Sequence, residues 1–147
     1  TNSSAIVVKI SPDGDFFKPL ITNGEVLERS FGIVTDYFGA IYVNGFFSGK
    51  TAFTETFTAT SSLNNLAEMF IMKLDSDLQV KWFLQQAGVQ RVAEHGIALT
   101  MDYYGKLYSM GYFQQENNST PSHLGPFPIQ SRGRTDVFFS QLVPQQY

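Results

Sequence analysis

One pattern occurs twice in this chain and begins a third time, and that repetition limits what the chain can fold into more than any other feature. Ala5-Ile-Val-Val-Lys-Ile10 is answered by Met69-Phe-Ile-Met-Lys-Leu74, with Lys9 and Lys73 standing 64 residues apart. Gly24 and Gly32 find Gly88 and Gly96 at the same spacing. Asp36-Tyr-Phe-Gly39 matches Asp102-Tyr-Tyr-Gly105 at 66 residues, which puts two extra residues near Thr100 and Met101 in the second copy. An even insertion keeps later side chains on their own strand face. The match continues through Ile41–Phe47 against Leu107–Phe113, and Asp136–Leu142 opens a third copy. A tandem unit of this kind buries its apolar face by stacking on its neighbours rather than alone.

Each period reads as four short strands. The first carries Ile6, Val8 and Ile10 on one face and Val7 on the other, so both faces are apolar and a sheet covered on both sides is expected. Turns follow at Asp13-Gly-Asp15 and Asp75-Ser-Asp77, and in the second of these Leu78 replaces Gly14 and should weaken the turn. The second strand runs from Phe16 to Ile21, matched by Val80 to Leu84; Pro19 lacks a ladder donor and marks it as an edge. Phe31 to Asp36 and Ala40 to Phe47 form a hairpin across the Asp-Tyr-Phe-Gly turn, as do His95 to Met101 and Lys106 to Phe113. No window has a helical period beyond a short stretch near Ser62–Ala67, so the class is all-β.

A four-stranded antiparallel sheet repeated in tandem is the unit of a β-propeller. The string Phe70-Ile-Met-Lys-Leu-Asp75, Lys81-Trp82, Gly88, His95-Gly-Ile-Ala98, Asp102-Tyr-Tyr-Gly-Lys-Leu-Tyr108 and Gly111-Tyr-Phe113 resembles the β-propeller repeat known as SBBP, over nearly the whole chain. The chain departs from that pattern at Lys18, where the second copy has Trp82, and in keeping one glycine of a usual pair. The resemblance implies one propeller segment over residues 1–147: a partial blade over 1–21, a full blade over 31–86 and a partial blade over 95–147. Nine strands are one more than a two-blade module needs, which points to part of a larger ring, completed in cis or by oligomerisation. Proteins with such repeats are often surface-exposed in bacteria or occur in large viruses, so the resemblance also implies a cell-surface or virion-associated place.

Function is less legible. A net charge of −3, with 10 basic residues spread along the chain, is a poor match for nucleic acid. No apolar run approaches the roughly 18 residues of a membrane span, and no signal-peptide pattern opens the chain. Without cysteine, and with only His95 and His123, no metal site or cofactor is expected. Tyr37, Phe38, Tyr103 and Tyr104 place paired aromatics on hairpin turns, where they could stack on a sugar or a protein; packing on a neighbouring sheet is the plainer expectation. The connections Ser48–Ala67 and Gln114–Thr135 are long enough to be binding loops. Glu28, Arg29, Arg91, Glu94 and His95 approach the expected channel mouth. With the glycines aligned, Ser30 faces Glu94 and Phe31 faces His95, so these charges do not recur, which argues against catalysis. The resulting expectation is a non-catalytic scaffold for a protein partner, with a glycan-binding propeller, using these rings or Trp82, as the alternative.

Overall fold

The computed structural model describes residues 3–17, 19–62, 66–86, 94–114, 121–124 and 127–142. The described strands, in chain order, are β1 (Ile6–Val7), β2 (Leu20–Ile21), β3 (Asn23–Gly24), β4 (Leu27–Thr35), β5 (Ile41–Ser48), β6 (Lys50–Ala52) and β7 (Thr58–Thr60). They continue as β8 (Glu68–Leu74), β9 (Val80–Gln85), β10 (Glu94–Met101), β11 (Leu107–Gln114), β12 (Ser122–Leu124), β13 (Phe127–Ile129) and β14 (Thr135–Leu142). The chain is all-β, and among the described residues no helix is long and apolar enough to cross a membrane.

The central sheet has the order β4-β5-β8-β9, and a second sheet repeats the first three places as β10-β11-β14. β1 and β2 pair with each other, β3 joins β6 and β7, and β12 pairs with β13. Every strand pair is antiparallel. Large apolar and aromatic residues, with Met and Leu beside Ile, Val, Phe and Tyr, dominate the long strands and pack on a pleated surface.

The register corrects the alignment read from the glycines. Glu28 pairs with Phe47 and Glu94 with Phe113; Ser30 pairs with Gly45 and Gly96 with Gly111. The 66-residue spacing is therefore already in force at Glu28 and Glu94. Val7 pairs with Leu20 as Ile71 pairs with Leu84, at a spacing of 64. The two extra residues consequently enter between Leu84 and Glu94, not near Thr100. Glu28 and Glu94 are thus counterparts, so the carboxylate does recur, and the counterpart of Arg29 is His95. The row Glu28–Phe47–Glu68 across three strands returns as Glu94–Phe113–Asp136.

Two apolar layers hold the sheets together. Val7 and Leu20 meet Val43, Phe47, Phe53, Phe70, Met72 and Leu74 in one. Tyr42, Met69 and Ile71 meet Leu99, Leu107, Phe113 and Phe138 in the other. Between the central and second sheets the seam is pinned by Asn44, which is fully buried. Both inner strands carry a β-bulge, at Ser30/Gly32 and at Gly96/Ala98, and a bulge takes backbone groups out of the ladder. Asn44 supplies the missing partners: its Oδ1 accepts from Gly32 N at 2.9 Å, and its Nδ2 donates to Ala98 O at 2.9 Å and to Ser109 Oγ at 3.3 Å.

Two expectations change. The first strand is not covered on both faces: Val7 is buried, but Ile6, Val8 and Ile10 are 55%, 43% and 54% exposed, because no described sheet lies on that side. Nor is 48–67 a free loop. Its β6–β7 hairpin joins β3, and Phe53 is fully buried among Phe47, Phe70 and Phe83, with ring centroids 4.8 to 5.4 Å away. Part of 114–135 forms the β12–β13 hairpin, and residues 115–120 and 125–126 lie outside the described set.

Candidate functional site

Among the described residues one turn is built four times, at Ser11–Asp15, Asp36–Ala40, Asp75–Gln79 and Asp102–Lys106. In each, the first residue's N–H donates to the fifth carbonyl and the fourth N–H donates to the first carbonyl, at 2.9 to 3.1 Å. The first side chain accepts from the fifth N–H at 2.9 to 3.0 Å. The fourth residue is left-handed, with φ of 91° at Gly14, 84° at Gly39, 60° at Leu78 and 79° at Gly105. This is the type I turn with a following bulge that suits a three-residue hairpin loop. Leu78 keeps the same turn geometry: its left-handed backbone costs about 1 to 2 kcal/mol, and its side chain is buried in the first apolar layer.

Two of these turns add a further brace. Asp36 Oδ2 accepts from the Tyr42 hydroxyl, and Asp102 Oδ2 from the Tyr108 hydroxyl, each at 3.1 Å. Burial, together with the Asp36 carboxylate, pushes the Tyr42 phenol up to about 12, so it remains a donor at neutral pH. Burial and Asp102 raise Tyr108 in the same direction.

On these braced frames the paired rings stand in solvent. Tyr37 and Tyr103 are each 97% exposed, and Phe38 and Tyr104 each 83%. Each pair is edge to face, with centroids 5.7 and 5.6 Å apart and planes at 88° and 83°. The rings do not pack on an adjacent sheet, contrary to the plainer expectation. Each edge-to-face pair, carried on a hydrogen-bonded turn, offers open ring faces that can stack on an apolar or sugar surface.

The channel-mouth residues are not assembled into a site. Neighbours along a strand face opposite ways, so Glu28 and Glu94 turn into the interior while Arg29 and His95 turn to the other face. Glu28 is buried, accepts from Thr51 Oγ1 at 3.1 Å and lies 3.5 Å from Thr22 Oγ1, tying β4 to the β6–β7 hairpin. Gly24 leaves room for this, since a Cβ there would fall on the carboxylate. Glu94 is fully buried, and its backbone N–H donates to Ala67 O at 3.0 Å. Half-buried His95 stacks on Tyr112 at 4.6 Å and meets Phe46 edge-on at 4.1 Å; burial first, and then the Arg29 charge, lower its pKa and keep it neutral. Trp82 is half-buried against Tyr42, 6.0 Å between centroids. His123 is exposed on β12, opposite Pro128, and Arg91 lies outside the described residues. Among the described residues no cluster of three or more His, Asp or Glu is placed to hold a metal ion.

Sequence reasoning missed two anchoring groups, Asn44 and Glu68. Glu68 Oε1 accepts from Ser62 N at 2.7 Å and from the Ser62 hydroxyl, and its Oε2 accepts from Gln85 Nε2, tying Ser62 and β9 to the start of β8. The acid–Phe–acid row was the available signal for Glu68, hidden by the shifted alignment; nothing comparable marked Asn44, whose counterpart in the second sheet is Met110.

Neither the scan against protein-family models nor the search of the curated proteins finds a match to this chain.

Burial raises the Glu28 pKa above its ordinary 4.5, the Thr51 and Thr22 hydroxyls offsetting it only in part. A raised folded-state pKa means stability is fully present below the unfolded value and lost as pH rises through the folded one. Glu28→Gln keeps the shape and removes the charge. It is therefore expected to melt higher than the parent at neutral pH, with the advantage vanishing below 4.5. Thermal unfolding across that range checks it.

Proposed function

We propose that the chain is a non-catalytic segment of a β-propeller that serves as a structural and protein-interaction scaffold, in a cell-surface or virion-associated assembly. The central four-stranded sheet supplies one blade, and the flanking sheets supply parts of two more. What supports this reading is the return of one register, bulge and turn at a spacing of 66 residues in sheets stacked face to face. Its contact surface is the twin aromatic turns, because Tyr37 and Tyr103, at 97% exposure, meet their neighbouring turn ring and are otherwise open to solvent. The folded-in β6–β7 hairpin is a brace for the blade rather than the presenting loop.

A photo-crosslinking residue placed at Phe38 and, separately, at Tyr104 in the native assembly is expected to give discrete protein adducts at both positions. The same probe at exposed Thr100 is expected to give none. Absence of adducts at 38 and 104 overturns the reading. A second reading, a carbohydrate-binding propeller, is favoured by the same fully open rings. It requires the parent protein to retain glycans on an array, and the fourfold variant Tyr37→Ser, Phe38→Ser, Tyr103→Ser, Tyr104→Ser to retain none at an unchanged melting temperature.

A further inference from the structure

The central sheet shows what covers each of its faces, and the outer sheets each lack one such cover. On the side toward the second sheet, the pairs Asn44–Ile71 and Phe46–Met69 are all at most 3% exposed. Their counterparts in the second sheet are Met110–Phe139 and Tyr112–Val137. There Met110, Phe139 and Val137 are 47%, 69% and 79% exposed. The opposite deficit stands at the other end. Phe70, Met72 and Leu74 of the central sheet are fully buried against the layer that includes Val7 and Leu20. Their counterparts, Ile6, Val8 and Ile10, are bare.

One molecule therefore carries both halves of an interface that it already makes twice internally. We infer that copies of this chain associate head to tail, the Met110–Val137–Phe139 face of one seating on the Ile6–Val8–Ile10 face of the next. The occupant is a second copy because each bare face is the counterpart of a surface that mates with the other's counterpart inside the chain. Each patch is apolar and contiguous, the kind of surface that marks an interaction site. The contact is heterologous, so it extends into rings or short stacks rather than stopping at a symmetric pair. The inference rests on reading the sheets as consecutive blades.

Sedimentation velocity over a concentration series tests it, with two charge variants made at exposed positions so that folding is preserved. The parent chain is expected to shift from monomer to larger species as concentration rises. Val137→Lys/Phe139→Lys alone and Val8→Lys/Ile10→Lys alone are each expected to remain monomeric. Their equimolar mixture, holding one good face of each kind, is expected to form a dimer and nothing larger. A parent chain that stays monomeric throughout, or either variant assembling alone, overturns the inference. In both cases the blade reading stands so long as the Asn44 seam is intact; that reading fails separately, if the seam does not couple the two sheets.

Discussion

Phe53→Ala is expected to cost about 3 to 5 kcal/mol of folding stability, enough to unfold much of a marginally stable chain. The residue sits in a segment of Thr, Ser and Phe that has the composition of a surface loop. Yet its ring is fully buried and touches three phenylalanines from three strands of the central sheet, with Phe57 closing over it at 6.3 Å. Truncation leaves a cavity walled by β5, β8 and β9, which are held by ladder hydrogen bonds and cannot collapse into it. Urea titration checks this, read as a lowered midpoint at unchanged slope. Full retention of the midpoint would mean that the β6–β7 hairpin is a dispensable loop.

Asn44→Ala is expected to cost about 2 to 4 kcal/mol, for a different reason. Little apolar surface is lost, but the Gly32 N–H and the Ala98 carbonyl, beside the two bulges, lose the partner that Asn44 gives them, and a polar group left without its partner away from water costs roughly 1 to 3 kcal/mol. Asn44→Asp keeps the acceptor for Gly32 but loses both donors and adds a buried charge, so it is expected to be no better than alanine. The same titration orders the two variants, and a neutral Asn44→Ala would mean that the seam is held by its apolar residues alone.

Much of the architecture is visible in the residues. The hairpins on Asp36–Gly39 and Asp102–Gly105 and the strand with Lys73 appear where pattern and turn chemistry place them, whereas among the described residues of the second strand expected over Phe16 to Ile21 only Leu20–Ile21 is strand, with Phe16 in a single bridge to Ile10. What misled was the use of glycine as a ruler. Gly32 and Gly96 answer different needs: a Cβ on Gly32 would meet Asn44 Oδ1 and the Leu99 backbone, whereas one on Gly96 would press on Met69 across the seam. They stand on opposite sides of their bulges, so equating them shifts the frame by two residues and hides the pairing of Glu28 with Glu94. An even shift preserves the inward and outward pattern, which is why the periodicity gave no warning. Burial of Phe53 was illegible because it depends on a hairpin folding back onto a distant strand. The alternation Thr51, Phe53 and then Phe57, Ala59 was its only local sign.

The candidate site was half legible. Pattern alone placed the four turn rings, but their exposure depends on whether a neighbouring element reaches them, which no local spacing encodes. For Glu28, Arg29, Glu94 and His95 the strand alternation was enough to forbid a joint carboxylate–histidine pair, since adjacent residues face apart.

The central claim is that the two long sheets are stacked units of one body, joined through Asn44 and the layer of Tyr42, Ile71, Leu99 and Phe138. Native-state amide hydrogen exchange tests this most directly, followed in the β5 and β11 amides of the parent chain and of Asn44→Ala. Both strands of the parent chain are expected to exchange through one shared opening free energy, and in the variant β11 is expected to fall below β5 as the seam loosens. Independent opening of β5 and β11 in the parent chain, with no change in the variant, would contradict it.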